Sequence, residues 1–365
     1  MLNGGRPRVL ICCNATVRRE YITGEGVARL EQLADWEWLQ SEGASTRPGV
    51  WGGPSEDPAE AQRLRDKLSQ GYDALIVCHG APYVDELALK APRLRLVGEL
   101  EGDRFANRMD VEAAAARGIR VVDTTHGSSL PVAEWALGLT LIGLRNAGAQ
   151  FRRLINGEEF RRGHDDPGFR FGELTGRSVG IIGLGHIARR LIELLQPFRC
   201  RISVYDPYVA KEVALAMHVE LTSLQDVLSR PDVVICTAPL TPRTRGMLGA
   251  AELALLRPDS VFVNVSRGAI VDSEALIARA QRGDIRVSLD VFDPEPIPAG
   301  SPIRDLSNVF LSPHIAGVTA ACRPRFFSFM VDELERFFAG RETLFDLTSS
   351  TLANRRGLAP AGGSV

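Results

Sequence analysis

Short apolar runs alternate along the chain with stretches whose apolar residues fall at helical spacing. That alternation predicts parallel sheets covered by helices. Arg8–Cys13 (RVLICC) reads as a buried strand, and Val17 to Ala34 as a helix. Ala74–Cys78, Leu94–Gly98 and Arg120–Asp123 read as further strands. Between the last two lies a helical stretch from Val111 to Arg117, which Gly118 stops. Residues 41 to 60 are rich in Gly, Pro and Ser and predict a loop.

The stretch Ser128 to Arg145 is apolar nearly all round, which predicts a helix buried between domains or subunits. Ser129 is its expected N-cap and Pro131 suits its first turn. Gly157 to Gly176 is polar and rich in Gly and Asp, as in a linker or flap. A second alternating series begins at Arg177. Its strands are expected at Ser178–Ile182, Arg201–Tyr205, Val233–Cys236, Ser260–Asn264, Arg286–Leu289 and Asn308–Leu311. A final helix is expected from about Arg325 to Phe338, then a flexible tail over 351–365.

A length of 365 residues suggests two domains. Basic and acidic residues number 43 and 45, so the charge is nearly balanced at −2. Such a chain has no global electrostatic reason to bind nucleic acid or an anionic membrane. Only three basic residues are lysines, but the arginines are scattered and carry no functional reading. The longest apolar run, Trp135 to Leu144, is half of the ~20 residues that a membrane span needs. Val9 to Cys13 is too short for the core of a signal peptide. The six cysteines (12, 13, 78, 200, 236 and 322) show no metal-type spacing. They read as reduced core thiols of a cytoplasmic protein that holds no metal.

Candidate chemistry starts at Ser178–Ala188, SVGIIGLGHIA. A strand runs into Gly183-Leu-Gly185-His186-Ile187-Ala188 and then a helix. This is the dinucleotide fingerprint in its required strand–turn–helix setting. Gly183 permits the tight turn, Gly185 lets the backbone approach a pyrophosphate, and Ala188 allows close helix packing. His186 and Ile187 open the helix, where free N–H groups favour phosphate, with the His186 ring expected to face solvent. Asp206 ends the next strand, 21 residues beyond Gly185. An acid at that spacing suits a ribose hydroxyl and disfavours a 2′-phosphate, which predicts NAD over NADP. The bland alternative is a ligand-free tight turn with a surface Asp.

Three later segments complete the picture: Asn264–Asp272 (NVSRGAIVD), Leu289–Pro296 (LDVFDPEP) and Leu311–Gly317 (LSPHIAG). Together with the fingerprint they resemble the D-isomer-specific 2-hydroxyacid dehydrogenases. Ala238 to Gly246 (APLTPRTRG) resembles the family segment beside the nicotinamide, and Ser129 to Glu134 its long crossover helix. The resemblance covers roughly 90–345.

It implies two doubly wound parallel-sheet α/β domains. A flavodoxin-like substrate domain would comprise 1–124 and 318–350. A Rossmann NAD-binding domain would comprise 125–317, with the site in the cleft between the two. It implies a homodimer acting on a small 2-oxo or 2-hydroxy acid; with roughly 320–350 used by the return helix, no appended regulatory domain is expected. Arg267 would bind the substrate carboxylate, His314 would be the acid/base, and Glu295 would hold His314. The cofactor would touch Gly183, Gly185, His186, Ile187, Asp206, Ala238, Pro239, Thr244, Ser266, Asp290, His314 and Gly317, with Asp290 orienting the nicotinamide.

The residue types suit these roles. Arg267, Asp290, Glu295 and His314 each lie at or just past the carboxyl end of an expected strand, the edge where open parallel sheets bind ligands. Reducing a 2-oxo acid leaves an alkoxide that needs a proton, which a histidinium gives. A nearby carboxylate favours the charged imidazole, and arginine offers a planar fork to a carboxylate. Taken singly, each residue also has a bland reading as a salt-bridged, turn or hydrogen-bonded group. Of the other histidines, only His79, after a first-domain strand, is a further candidate for substrate contact.

The chain departs from the family in its first domain. Where a glycine-rich loop is expected, it reads Glu99 to Asp110 (ELEGDRFANRMD). Arg104 or Arg108 would contact an anionic substrate or, on the bland reading, pair with Glu99, Glu101 or Asp103 at the surface. Phe105 and Trp135 are candidates for shaping the pocket. Two rival functions stay open. One is an NAD-sensing binding module of the corepressor kind on the same fold. The other is a phosphite-type dehydrogenase, which would keep all three catalytic residues. A formate dehydrogenase would carry Gln where Glu295 stands.

Overall fold

Alternation within the strands sets the architecture. The computed structural model describes residues 5–43, 53–158 and 172–358. The chain divides into two units, Met1–Ser128 with Val318–Leu352, and Ser129–Gly317 with Ala353–Val365.

The first unit holds β1 (Arg8–Cys13), β2 (Asp35–Gln40), β3 (Ala74–Val77), β4 (Leu96–Glu99) and β5 (Arg120–Asp123). They form one parallel sheet in the order β2-β1-β3-β4-β5, the flavodoxin order. Both faces are covered. Val9, Ile11, Cys13, Ala74 and Ile76 face one core, and Leu10, Cys12, Leu75 and Val77 the other. The helix Arg323–Phe338 buries Phe326, Phe327, Met330, Val331 and Leu334 in the first of these cores.

Differences from expectation have local causes. The stretch Val17 to Ala34 is two helices, Ala15–Glu20 and Gly24–Leu33, parted at Gly24, whose φ is +62°. Strand β2 follows directly, its Trp36 and Trp38 packed on the core while Asp35 is exposed. The helix Pro58–Leu68 starts at the end of the expected loop, with Asp57 as its N-cap and Pro58 in its first turn. The tail expectation is corrected: Ser349–Arg355 is helical. Thr348 Oγ1 accepts the Thr351 amide and Leu352 packs on the first unit's core, so an apolar anchor and a cap order it. Residues 359–365 of that tail, and 159–171 of the expected linker, lie outside the described residues.

The second unit holds β6 (Ser178–Ile182), β7 (Arg201–Tyr205), β8 (Glu220–Leu221), β9 (Val233–Cys236), β10 (Val261–Asn264), β11 (Arg286–Leu289) and β12 (Val309–Leu311). The order is β12-β11-β10-β9-β6-β7-β8, all pairs parallel. Strand order therefore reverses between β6 and β9, which creates a ligand crevice beyond their carboxyl ends.

The helix Ser129–Leu144 packs Val132, Ala133, Ala136, Leu139 and Leu144 into this unit's core. Ser129 is its first helical residue rather than its cap, because a 3₁₀ turn, Thr125–Ser128, leads into it. The combined stretch Thr125–Leu144 is long and apolar enough to cross a membrane, more than the bare apolar run suggested. Half of that window is buried within the protein, as expected of a core helix. All six cysteines are free thiols, and all but the half-exposed Cys200 are buried.

Candidate active site

The dinucleotide cradle sits at the β6–β9 reversal. Gly183 turns the chain with φ +93°, and a Cβ there would lie 2.8 Å from the Ala238 Cα. Only glycine meets both demands. The Gly183 amide donates to the Tyr205 carbonyl at 2.8 Å, and Thr237 Oγ1 donates to the Gly183 carbonyl at 2.8 Å.

Gly185 is the N-cap of the helix His186–Leu195 and brings no side chain to its first-turn amides. Those amides suit an anion. Ala188 is fully buried against the core, Ile187 is half-buried, and His186 is exposed. Asp206 is tied to the same turn: its carboxylate accepts the Leu184 amide at 2.7 Å and the Tyr208 amide at 2.9 Å.

Opposite the turn, Ser266 Oγ donates to the Ala238 carbonyl, and Thr244 Oγ1 donates to the Pro239 carbonyl at 2.7 Å. These bonds fix the Ala238–Thr244 loop. They also spend both hydroxyl protons inside the protein, leaving each oxygen only as an acceptor.

The acid/base candidates come from neighbouring strands. His314 follows β12 with φ +52°, and its Nδ1 lies 2.5 Å from Glu295 Oε1. Asp290, just past β11, is fully buried and works as an anchor. Its carboxylate accepts the Ile315 amide at 3.0 Å, the Ala316 amide at 2.9 Å and the Ser312 hydroxyl at 2.6 Å. Its carbonyl accepts the His314 amide at 3.0 Å.

Arg267 follows β10, beside β11, and its Nη1 donates to the Ser266 carbonyl at 2.7 Å. A Cβ on Gly268 would lie 1.9 Å from the Phe292 carbonyl carbon. Glycine there lets the arginine loop press against the segment that leads to Glu295. Gly317 is half-buried, with Val132 the nearest group to where a Cβ would be. Ser312 was not singled out from sequence. Its hydroxyl also accepts the Trp135 indole N–H at 3.0 Å. The only signal was its place two residues before His314.

The first unit's carboxyl edge is organised differently. His79 is not open: Arg108 Nη2 donates to its Nδ1 at 2.9 Å, and its Nε2 bonds Glu101. Arg108 also pairs with Glu99, and both are buried, so the expected surface pairing is in fact a core pair. Burial pushes the Glu99 carboxyl up to about 7, beyond what Arg108 offsets, and the Asp123 carboxyl up to about 6.

The loop amides are consumed locally. Gly102 and Arg104 donate to Thr125 Oγ1, Ala106 to Asp123 and Arg108 to Glu99. Phe105 is buried. Cys78, His79 and Glu101 place their ligand atoms within 4.8 Å of one another. Arg108 on His79 Nδ1 argues against a metal, because a ligating histidine uses its second nitrogen to donate, not accept.

A family model described as the NAD-binding domain of D-isomer specific 2-hydroxyacid dehydrogenases matches residues 137–316. A mitochondrial formate dehydrogenase from Solanum tuberosum is 31% identical over 323 residues, covering 84% of this chain and 79% of its own. The chain belongs to the D-isomer specific 2-hydroxyacid dehydrogenase family. A D-3-phosphoglycerate dehydrogenase from Methanocaldococcus jannaschii is 33% identical over 281 residues, or 76% of this chain. The chain spans about half the length of that relative, 52%. A phosphoglycerate oxidoreductase from Rhizobium etli aligns over 95% of this chain and 100% of its own, with a TM-score of 0.77. At 24% identity that likeness shows the fold alone.

The family's cofactor, NAD, fits the cradle of this member. The glycine turn has room for no Cβ, the first turn of the His186–Leu195 helix has no side-chain cap, and the Asp206 carboxylate is tied beside both.

Proposed function

We propose that this chain is an NAD-dependent dehydrogenase that interconverts a small 2-oxo acid and its D-2-hydroxy acid. The observation that carries this reading is the His314–Glu295 pair, 2.5 Å apart at the carboxyl edge of the cofactor-binding sheet.

Glu295 occupies His314 Nδ1, so Nε2 is the atom left to hold the working proton. Arg267 binds the substrate carboxylate through its fork and draws electron density toward the 2-oxo group. NADH, which the glycine turn and Asp206 would hold, would supply the hydride to the carbonyl carbon. As the carbon–oxygen π pair moves onto oxygen, His314 Nε2 gives that oxygen its proton. In the oxidative direction neutral His314 takes the hydroxyl proton back. Glu295 holds the ring through Nδ1 and so keeps Nε2 turned to the substrate oxygen.

A homodimer is proposed as well. Phe151, Leu154 and Ile155 leave a contiguous apolar face on the helix Ala147–Ile155, more than half exposed in this single chain. Six free thiols suit a cytoplasmic setting.

The first test is NADH oxidation across glyoxylate, hydroxypyruvate, pyruvate, phenylpyruvate and branched 2-oxo acids, with NADPH and Arg267→Ala as controls. Turnover that Arg267→Ala abolishes supports the reading. Tight NADH binding without turnover on any of them overturns it in favour of an NAD-sensing module. Phosphite oxidation in its place would assign the alternative chemistry.

A further inference from the structure

The Glu295–His314 pair is assembled from two separate segments. Glu295 lies on the chain that leaves β11, and His314 on the turn that leaves β12. Asp290 joins them. It begins the first segment, and its carboxylate grips the second through Ile315 N, Ala316 N and Ser312 Oγ. What holds Asp290 itself in place lies farther off.

The hydrogen-bond directions there are forced. An indole nitrogen only donates, so Ser312 Oγ must accept from Trp135 Nε1 at 3.0 Å. The hydroxyl has one proton, and the Asp290 carboxylate at 2.6 Å is its strongest acceptor, ahead of the Leu289 carbonyl at 3.3 Å. A directed chain results, from Trp135 through Ser312 to Asp290. Trp135 is fixed by the rigid helix Ser129–Leu144, where it packs on the unit's main core. Ser312 and Asp290 are both buried, so water does not replace a lost link easily.

We propose that Trp135 and Ser312 are positioning residues for the acid/base pair. They lock the Asp290 carboxylate, which in turn holds the turn bearing His314 in register with Glu295. Neither residue touches substrate in this role. The proposal rests on the dehydrogenase reading only where turnover is the readout.

The experiment uses the full chain carrying Trp135→Phe, Ser312→Ala and Ser312→Thr. The activity-independent readout is the imidazole proton of His314 in the short bond to Glu295, followed by NMR and assigned by its loss in Glu295→Gln. That proton is expected far downfield in the wild type and in Ser312→Thr, which keeps the hydroxyl. In Trp135→Phe and Ser312→Ala it is expected to move upfield or exchange away.

With a turned-over substrate, the same two variants are expected to lose about tenfold in kcat, since small misplacements of a reacting group are costly. KM for NADH should change less than kcat, because the glycine turn and Asp206 are untouched. Ser312→Thr should restore kcat.

If the resonance and kcat are unchanged in Trp135→Phe and in Ser312→Ala, the proposal is wrong. Equal losses in Ser312→Thr and Ser312→Ala would also overturn it, since retaining the hydroxyl would then make no difference. If the wild type turns over nothing yet the resonance responds as described, the positioning role stands and the dehydrogenase reading falls.

Discussion

Both sheets present histidine and glutamate at their carboxyl edges, and the two edges do opposite things with them. In the second unit His314 and Glu295 face outward, on loops whose backbone is nailed down by the buried Asp290. In the first unit His79 and Glu101 close on Arg108 and on each other, and the loop amides are spent on Glu99, Asp123 and Thr125. Topology locates such an edge in any doubly wound sheet. Whether the edge is offered to a ligand depends on where the anchoring groups sit. A carboxylate beneath the turn frees the histidine, whereas guanidinium and carboxylate beside it engage both ring nitrogens.

The sharpest way to break this comparison is to exchange the histidines for asparagine one at a time. His314→Asn removes the proton carrier and is expected to lower kcat by about 10²–10⁴. His79→Asn removes a bridging group and should leave kcat within a few-fold. Its cost should appear instead as about 1–2 kcal/mol of lost stability in the first unit. Steady-state turnover and thermal unfolding, measured on both variants, separate the cases. A collapse of kcat in His79→Asn with the fold intact would make the first edge part of the chemistry.

A smaller effect is expected in the pH dependence of stability, with opposite signs in the two units. In the first, burial lifts Glu99 to about 7 and Asp123 to about 6. An acid raised in the folded state stabilises below its ordinary range, and that contribution is lost as pH rises through the folded value. The first unit should therefore weaken between about pH 4 and pH 7. Glu37 opposes this, lowered to about 2 by its bonds to Lys67 and Tyr72, but it is nearly half exposed and weighs little.

In the second unit, hydrogen bonds from Ser178 hold Asp232 below its ordinary range against its partial burial, and Arg279 does the same for Asp284. Those contributions are present above that range and are lost as pH falls. Hydrogen exchange at pH 5.5 and 7.5, corrected for intrinsic rates, should show protection in β3–β5 falling at the higher pH by about 1–3 kcal/mol. Protection in β6 and β9 should not fall. Parallel slopes in both units would mean that Arg108 keeps Glu99 ionised.

These two edges also mark how far the chain could be read in advance. Strands with unbroken apolar runs, such as β3 and β9, were plain, because both faces of a parallel strand are buried. The proposed trio of Arg267, Glu295 and His314 stood out because each member lies in a dense local motif at a strand end. The first edge was not legible. Charges in Glu99–Asp110 left substrate contact and surface pairing both open, and neither reading showed that Arg108 would be buried against Glu99 and reach back to His79. β2 was missed although Asp35–Gln40 alternates, because a tryptophan-rich edge strand looks like a continuation of the preceding amphipathic helix. Ser312 was invisible for a similar reason. A serine carries no signal until Trp135, far back in the chain, is found beside it.

The least disruptive exchange concerns cofactor choice, where sequence and structure bear on the same atom. Asp206 was read as a ribose ligand from spacing alone, and the structure shows its carboxylate already held by Leu184 N and Tyr208 N. Those bonds tie the carboxylate to the glycine turn, and a negative charge held there would repel a 2′-phosphate. Asp206→Ser shortens the side chain and removes the charge while leaving one oxygen to accept an amide. The expected result is about a tenfold loss in kcat/KM for NADH and a gain of similar size for NADPH, each about 1.4 kcal/mol. Unfolding temperature, measured alongside, separates a loosened turn from a changed preference. If NADH efficiency falls while NADPH gains nothing, Asp206 acts by bracing the glycine turn, and discrimination against the 2′-phosphate lies elsewhere in the cradle.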